Sequence, residues 1–205
     1  MKKLVALFLS ALLILTPCVA FAQESVNVPC SPIVGYLADD EGNIIEVPGF
    51  IVESASVNSS SGDASVTYGF NVPLSSGSTG SGEYTESSPD SAYESHVYLT
   101  IYYKTRNNNS EYLLTSVSGY WEIEHPYNTS VTSASVRYGC SDLVTTQSQL
   151  RSVGNNFSFN TGFSTYITKA AGVMGANLTL KYLMGTSRKW TFTLTNNLFN
   201  EGITY

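Results

Sequence analysis

The segment Glu122-Ile123-Glu124-His125 places two carboxylates two residues apart. On a strand they would share one face, about 6.5–7 Å apart, a separation that inverting glycosidases use for their acid and base. Such enzymes draw the two groups from different elements across a cleft, however, and neighbouring glutamates on a strand are an ordinary solvated face. A carboxylate-based glycan hydrolase is therefore the weaker reading of this motif. Two acidic stretches invite comparison with calcium loops: Asp39-Asp40-Glu41-Gly42-Asn43, and the segment holding Glu83, Glu86, Asp90 and Glu94. Carboxylates on oxygen-rich loops suit a hard cation, but neither stretch has the D-x-[DN]-x-[DN]-G spacing, and Asp-Glu-Gly-Asn is common hairpin-turn chemistry. The two histidines, His96 and His125, form no H-E-x-x-H motif, and no cysteine pair has zinc-ligand spacing. There is no G-x-S-x-G, and the Gly77–Gly82 run lacks the Gly-Lys-Ser/Thr ending of a phosphate loop. No metal, cofactor or nucleotide is expected, and the chain reads as a non-enzyme.

Aromatic residues are the more suggestive chemistry. Tyr98, Tyr102, Tyr103, Tyr112, Tyr120 and Trp121 crowd into what reads as one hairpin. If Val97, Leu99, Ile101 and Tyr103 point inward, Tyr98 and Tyr102 point outward beside Thr100. Outward tyrosines on a sheet can stack on sugar rings or anchor a protein partner, so Tyr98, Tyr102, Tyr112 and Tyr120 are the candidate binding residues. Against this, tyrosine is favoured in strands for packing reasons alone, and acidic hairpins from the N-terminal section could cover these rings. Nucleic acid is not an expected partner, because the only basic cluster is Arg188-Lys189 and the net charge is −6.

The elements that must position these residues are strands. Residues 1–22 carry Lys2-Lys3, an apolar run from Leu4 to Leu15 and the small-x-small site Ala20-Phe21-Ala22, which reads as a secretory signal peptide. Pro17 before Cys18 argues against lipidation at that cysteine. No later stretch has the ~20 apolar residues of a membrane helix. The expected product, residues 23–205, is thus an exported, extracellular protein with no membrane contact. In Ala64–Val72 the residues Ala64, Val66, Tyr68, Phe70 and Val72 alternate with polar ones, the pattern of a half-buried strand. Leu178, Leu180 and Tyr182, then a Gly-Thr-Ser turn, then Trp190, Phe192 and Leu194 predict a hairpin with a threonine outer face. Further hairpins are predicted with turns at Asn107–Ser110 and Asp39–Asn43, and short strands within 130–140 and 155–163. The only helical candidates, 141–153 and 164–175, are short or Gly-broken. The expected fold is all-β: an antiparallel β-sandwich, immunoglobulin-like in general architecture, with an acidic N-terminal set of hairpins.

Cysteine and charge bear on domain organisation. With the signal removed, Cys30 and Cys140 remain, and in an exported protein two remaining thiols are expected to pair. The bridge would close a loop worth up to about 4–5 kcal/mol in the chain-entropy account. Residues 23–92 contain ten acids and no Lys or Arg, whereas 93–205 contain six acids and eight bases. Packing the first section against Arg137, Arg151, Lys169, Arg188 and Lys189 would relieve its self-repulsion; a solvated acidic face is the alternative. The Ser/Gly-rich stretch 75–92 is read as a long surface loop inside one unit spanning 23–205.

The runs Leu114–Trp121, Val136–Cys140 and Phe157–Phe163 resemble small secreted β-rich bacterial proteins of uncharacterised function, over roughly residues 112–163. The resemblance implies export and a sandwich-like fold and supplies no activity or site residue. Taken together, the expectation is a secreted, non-enzymatic binding module for a cell-surface protein or glycan. A membrane-active, pore-forming β protein is the alternative, and a glycan hydrolase a further one.

Overall fold

Alternation of apolar and polar residues dictates strands throughout, and a computed structural model describes residues 33–55, 61–74, 94–124 and 128–199. They form β1 (Val34–Asp39), β2 (Ile44–Ala55), β3 (Asp63–Pro73), β4 (Glu94–Arg106), β5 (Glu111–Ile123), β6 (Thr129–Ser141), β7 (Thr146–Ser152), β8 (Asn156–Asn160), β9 (Ile167–Thr168), β10 (Val173–Met184) and β11 (Arg188–Phe199). Among the described residues there is no α-helix; the stretch 141–153 holds an exposed turn and β7, and 164–175 holds β9 and a single 3-10 turn at Lys169–Ala171. The strand β7 carries no apolar period, which is why its sequence did not announce it; its hydrogen bonds to β6 make it a strand.

The strands form one antiparallel ladder in the order β7-β6-β10-β11-β1-β2-β3-β4-β5-β8, with β9 against the start of β5. The fold is all-β with a curled antiparallel sheet. The crease runs along β2, whose first half, to Pro48, pairs with β1, while its second half, from Gly49, pairs with β3. At the crease two inward positions, Gly35 and Gly49, are glycines. A side chain at Gly35 would meet the Phe192 ring at 2.6 Å, and one at Gly49 would meet Phe70 at 2.5 Å. Their absence lets Phe70 and Phe192, from the two halves, meet edge to face with centroids 5.6 Å apart.

The halves share one core. Val66, Tyr68, Phe70, Leu99 and Ile101 from one side pack with Leu178, Leu180, Tyr182, Phe192 and Leu194 from the other. Polar stitches cross the same space: the Tyr182 hydroxyl donates to Ser95 Oγ at 3.0 Å, and Asn196 Nδ2 donates to the carbonyls of Val66 and Leu99 at 3.1 and 2.9 Å. At the far ends of the ladder β7 and β8 are joined by only Val153–Asn155, a span of at most about 14 Å, so the sheet curls until its ends lie close. Gln147 Nε2 donates to the Thr165 carbonyl at 2.9 Å, and the Arg151 guanidinium lies 4.7 Å from the Phe159 ring centre.

The acidic section does not cover the tyrosine hairpin. Its strands β1, β2 and β3 pair edge to edge between β11 and β4 and so extend the sheet. Asp63 is paired with Lys104 at 3.5 Å across this join, and Asp40 accepts a hydrogen bond from the Lys189 backbone N–H at 3.3 Å. The signal segment, Cys30, the stretch 75–92 and His125 lie outside the described residues.

Candidate binding face

Strand β4 alternates cleanly: Val97, Leu99, Ile101 and Tyr103 are buried, while Tyr98, Thr100 and Tyr102 lie on the solvent side. Its neighbour β5 does not alternate cleanly. Tyr102 faces Ser116 but Tyr103 faces Leu114, so Thr115 is an extra residue that breaks the register, a β-bulge. Tyr112 and Tyr120 are an even number of positions apart, and simple alternation would put them on one face. The bulge reverses the parity: Tyr120 is 44% exposed, whereas Tyr112 is 7% exposed, in the core against Tyr103 and Phe199. Thr115 is held in place by its hydroxyl, which donates to the Tyr102 carbonyl at 3.0 Å, and by its carbonyl, which accepts from Thr161 N–H at 2.9 Å. Of the four tyrosines singled out from sequence, three are therefore on the outer face and Tyr112 is not.

The ladders align this face into rows running across the strands. Phe50 pairs with Gly69, Gly69 with Tyr98, Tyr98 with Tyr120, and Tyr120 with Asn156. Tyr98 and Tyr120 stack at 4.4 Å with 19° between their planes. Gly69 is the opening in the row: a Cβ there would come within 2.7 Å of the Phe50 ring and 2.8 Å of Val52. Without it, Phe50 leans over β3 toward Tyr98. Phe50 and Val52 are 41% and 50% exposed. Three steps of about 4.8 Å make the row from Phe50 to Tyr120 roughly 14 Å long. Tyr102 lies off it, four residues along β4 and so about 13 Å from Tyr98, where its hydroxyl accepts from Ser118 at 3.4 Å.

Polar rows flank the aromatic one. On one side Asn71, His96 and Glu122 are cross-strand partners; His96 Nδ1 is 2.9 Å from Asn71 Oδ1, and its Nε2 is 3.7 Å from Glu124. On the other side Thr67, Thr100, Ser118 and Ser158 are aligned, with the Thr67 and Thr100 hydroxyls 2.8 Å apart. Partial burial, hydrogen bonding with Tyr98 and the nearby Glu122 charge hold the Tyr120 phenol above its ordinary range. Tyr120 is therefore a neutral hydrogen-bonding group at neutral pH.

The carboxylate motif is divided by its surroundings. Glu122 points out from β5 and lines an open cleft, whereas Glu124, past the strand end, is engaged with His96. The Asp39–Asn43 turn uses its leading carboxylate internally: Asp39 accepts from the Glu41 and Asn43 backbone N–H groups and from Asn43 Nδ2 at 2.8–3.0 Å. The Asn43 side chain, ahead of these backbone bonds, holds the Asp39 carboxyl below its usual range. Among the described residues no three His, Cys, Asp or Glu side chains gather as a metal site. Cys140 is fully buried and has no disulfide partner among the described residues; its sulfur accepts from Gln147 Nε2 at 3.4 Å, and as a thiol it has its pKa pushed up to about 11 by burial.

Sequence reasoning missed Phe50 altogether. It stands in a run of apolar residues, Phe50-Ile51-Val52, where alternation gives no inside or outside; only pairing with Gly69 makes it part of the face. No family model, curated protein or solved structure matches this chain.

Proposed function

We propose that this is an exported, non-enzymatic carbohydrate-binding module whose platform is the Phe50–Tyr98–Tyr120 row, on which an extended glycan chain lies across the strands. The observation carrying this reading is the register that aligns the exposed Phe50 and Tyr120 with the half-buried Tyr98, the two tyrosines lying between two rows of hydrogen-bonding side chains. Sugar rings present C–H faces to aromatics and hydroxyls at their edges, which is the pattern of this face. A protein partner would ask for a desolvated apolar centre, and here both tyrosines are flanked by hydroxyl, imidazole or carboxylate groups, His96 and Thr100 beside Tyr98 and Ser118 and Glu122 beside Tyr120. Tyr120, at 44% exposure, retains on the order of 80–100 Å² to cover, about 2 kcal/mol at ~25 cal/mol per Å².

The scaffold reading that accompanies this is a β-sandwich, immunoglobulin-like in the loose sense of two packed antiparallel layers. The shared core and the Phe70–Phe192 contact support it. Export is supported by the N-terminal sequence pattern, and a Cys30–Cys140 bridge by the cysteine count that remains after processing.

The test is binding of residues 23–205 to cellulose, chitin and soluble oligosaccharides, compared with the Tyr98→Ser/Tyr120→Ser double variant. The variant is expected to lose at least tenfold in affinity while remaining folded by circular dichroism. Unchanged affinity removes the platform; capture of a protein ligand with no glycan binding replaces the ligand class. Release of new reducing ends, abolished by Glu122→Gln/Glu124→Gln, would make the protein a hydrolase.

A further inference from the structure

The aromatic row ends at a cleft. Strand β8 covers β5 only as far as Tyr120, so the last residues of β5 face across a gap to the first half of β6. The connector between β7 and β8 straps this gap: Trp121 N–H donates to the Asn155 carbonyl and Val153 N–H to the Ala134 carbonyl, both at 3.1 Å. Beside the strap is an open cleft of about 570 Å³, with Trp121, Val131 and Val153 as apolar wall and Glu122, Ser133 and Asn155 among its polar groups. Its volume falls within the roughly 300–1,000 Å³ of small-molecule sites.

Two features connect the cleft to the platform. Tyr120 pairs with Asn156, whose neighbour Asn155 is cleft wall, and Glu122 belongs both to the polar row beside Tyr120 and to the cleft. A chain lying along Phe50, Tyr98 and Tyr120 arrives beside it, since Trp121 and Asn155, the chain neighbours of Tyr120 and its partner Asn156, are both cleft wall. The strap walls the cleft and is hydrogen-bonded on both sides, an enclosure that suits a terminus better than the middle of a polymer. Among the described residues lining the cleft, Glu122 is the one ionisable group and no Lys, Arg or His is present. An anionic sugar would meet the Glu122 carboxylate, whereas an ammonium would meet its complement.

Resting on the platform reading, we infer that the cleft is an end subsite that takes the terminal residue of the bound glycan, and that this residue is an amino sugar whose ammonium sits on Glu122. The apolar wall receives the ring face, and Ser133 and Asn155 receive its hydroxyls. The site thus converts a lateral chain binder into one that recognises chain ends.

The experiment is calorimetric titration of residues 23–205, at a pH where the amine is charged, with a tetramer of β-1,4-linked glucosamine, with cellotetraose and with a long glucosamine polymer. Trp121 emission is followed in a Trp190→Phe background. The glucosamine tetramer is expected to bind at least tenfold tighter than cellotetraose and to change Trp121 emission. Glu122→Gln should bring the two tetramers to equal affinity. Ser133→Trp, which fills the cleft, should weaken the tetramer at least tenfold while polymer binding persists. If Ser133→Trp does not fold, Glu122→Gln, nearly isosteric on an exposed side chain, decides alone. Equal affinity of the two tetramers for the unaltered protein, or tenfold preference surviving in Glu122→Gln, overturns the end subsite. If polymer binding still depends on Tyr98 and Tyr120 in that case, the platform stands without it. Polymer binding that ignores the tyrosine substitutions fails the platform itself.

Discussion

Asn196 offers a direct test of how the curled sheet is held closed. It is fully buried on the inner face of β11, and its Nδ2 reaches across the core to the carbonyls of Val66 on β3 and Leu99 on β4. Among the described residues its Oδ1 has no hydrogen-bond partner. Two such bonds contribute about 1 kcal/mol each net, and an unpaired buried acceptor costs about 1–3 kcal/mol. Replacing Asn196 with Leu removes both the bonds and the orphan, so the terms nearly cancel. Asn196→Leu is expected to lie within about 1 kcal/mol of the unaltered protein, a Tm shift under about 4 °C for a chain of this size. Asn196→Asp is different: it loses one or both donors and sets a carboxylate against two carbonyl oxygens. An uncompensated buried charge costs about 3–5 kcal/mol, so at least about 4 kcal/mol should be lost at pH 7. Burial and the facing carbonyls raise the pKa of that carboxyl in the folded state above its unfolded value of about 3.9. The folded state then holds the proton more tightly, so the deficit is smallest below about pH 4 and grows as pH rises toward the folded pKa. Urea denaturation of both variants at pH 4 and pH 7 measures this. Asn196→Leu losing as much as Asn196→Asp at pH 7 would refute the cancellation, and an Asp variant as stable as the parent would refute the enclosure of this side chain between the halves.

Gly69→Ala should separate platform from fold: the atoms nearest the added methyl belong to the Phe50 ring and Val52, exposed side chains free to swing outward, so urea stability should change by less than about 1 kcal/mol while glycan affinity falls as it does in Phe50→Ser. Full stability loss with unchanged affinity would contradict this. Cys140 makes a pH prediction. In reduced protein its folded pKa of about 11 lies above an unfolded value of about 8.5, so its neutral-thiol contribution is intact below pH 8 and is lost as pH rises from there toward 11. Oxidised protein bridged to Cys30 lacks this titration, and mass spectrometry of unreduced material should find one peptide joining the two cysteines. Identical alkaline denaturation profiles with and without reductant, together with two alkylatable thiols after unfolding, would exclude the bridge.

The local features of this fold were written in its residues. Alternation in β3 and in the β10–β11 hairpin states which side chains go inward, because successive side chains on a strand point to opposite faces whatever the partner. The turns are equally local: Asn107, Asn108 and Asn109 all adopt positive φ, which asparagine tolerates better than most residues, and Gly42 and Gly185 do the same in the other two hairpins. All-β class, hairpin positions and the outward direction of Tyr98 and Tyr102 follow from such short-range chemistry. The site required more. An extra residue at Thr115 inverts the parity of β5 and sends Tyr112 into the core while Tyr120 stays outside, and no local pattern marks where a bulge will fall. The row Phe50–Gly69–Tyr98–Tyr120 joins four strands separated by up to seventy residues; its alignment is set by core packing between the halves, since a slip of one residue would turn every side chain of a strand to the wrong face. The crease at β2, the approach of β7 to β8 and the cleft beneath their connector come from the same source. Strand formation is a property of a few neighbouring residues, whereas register and curl are properties of the whole buried interior, and the candidate site is made of the second kind.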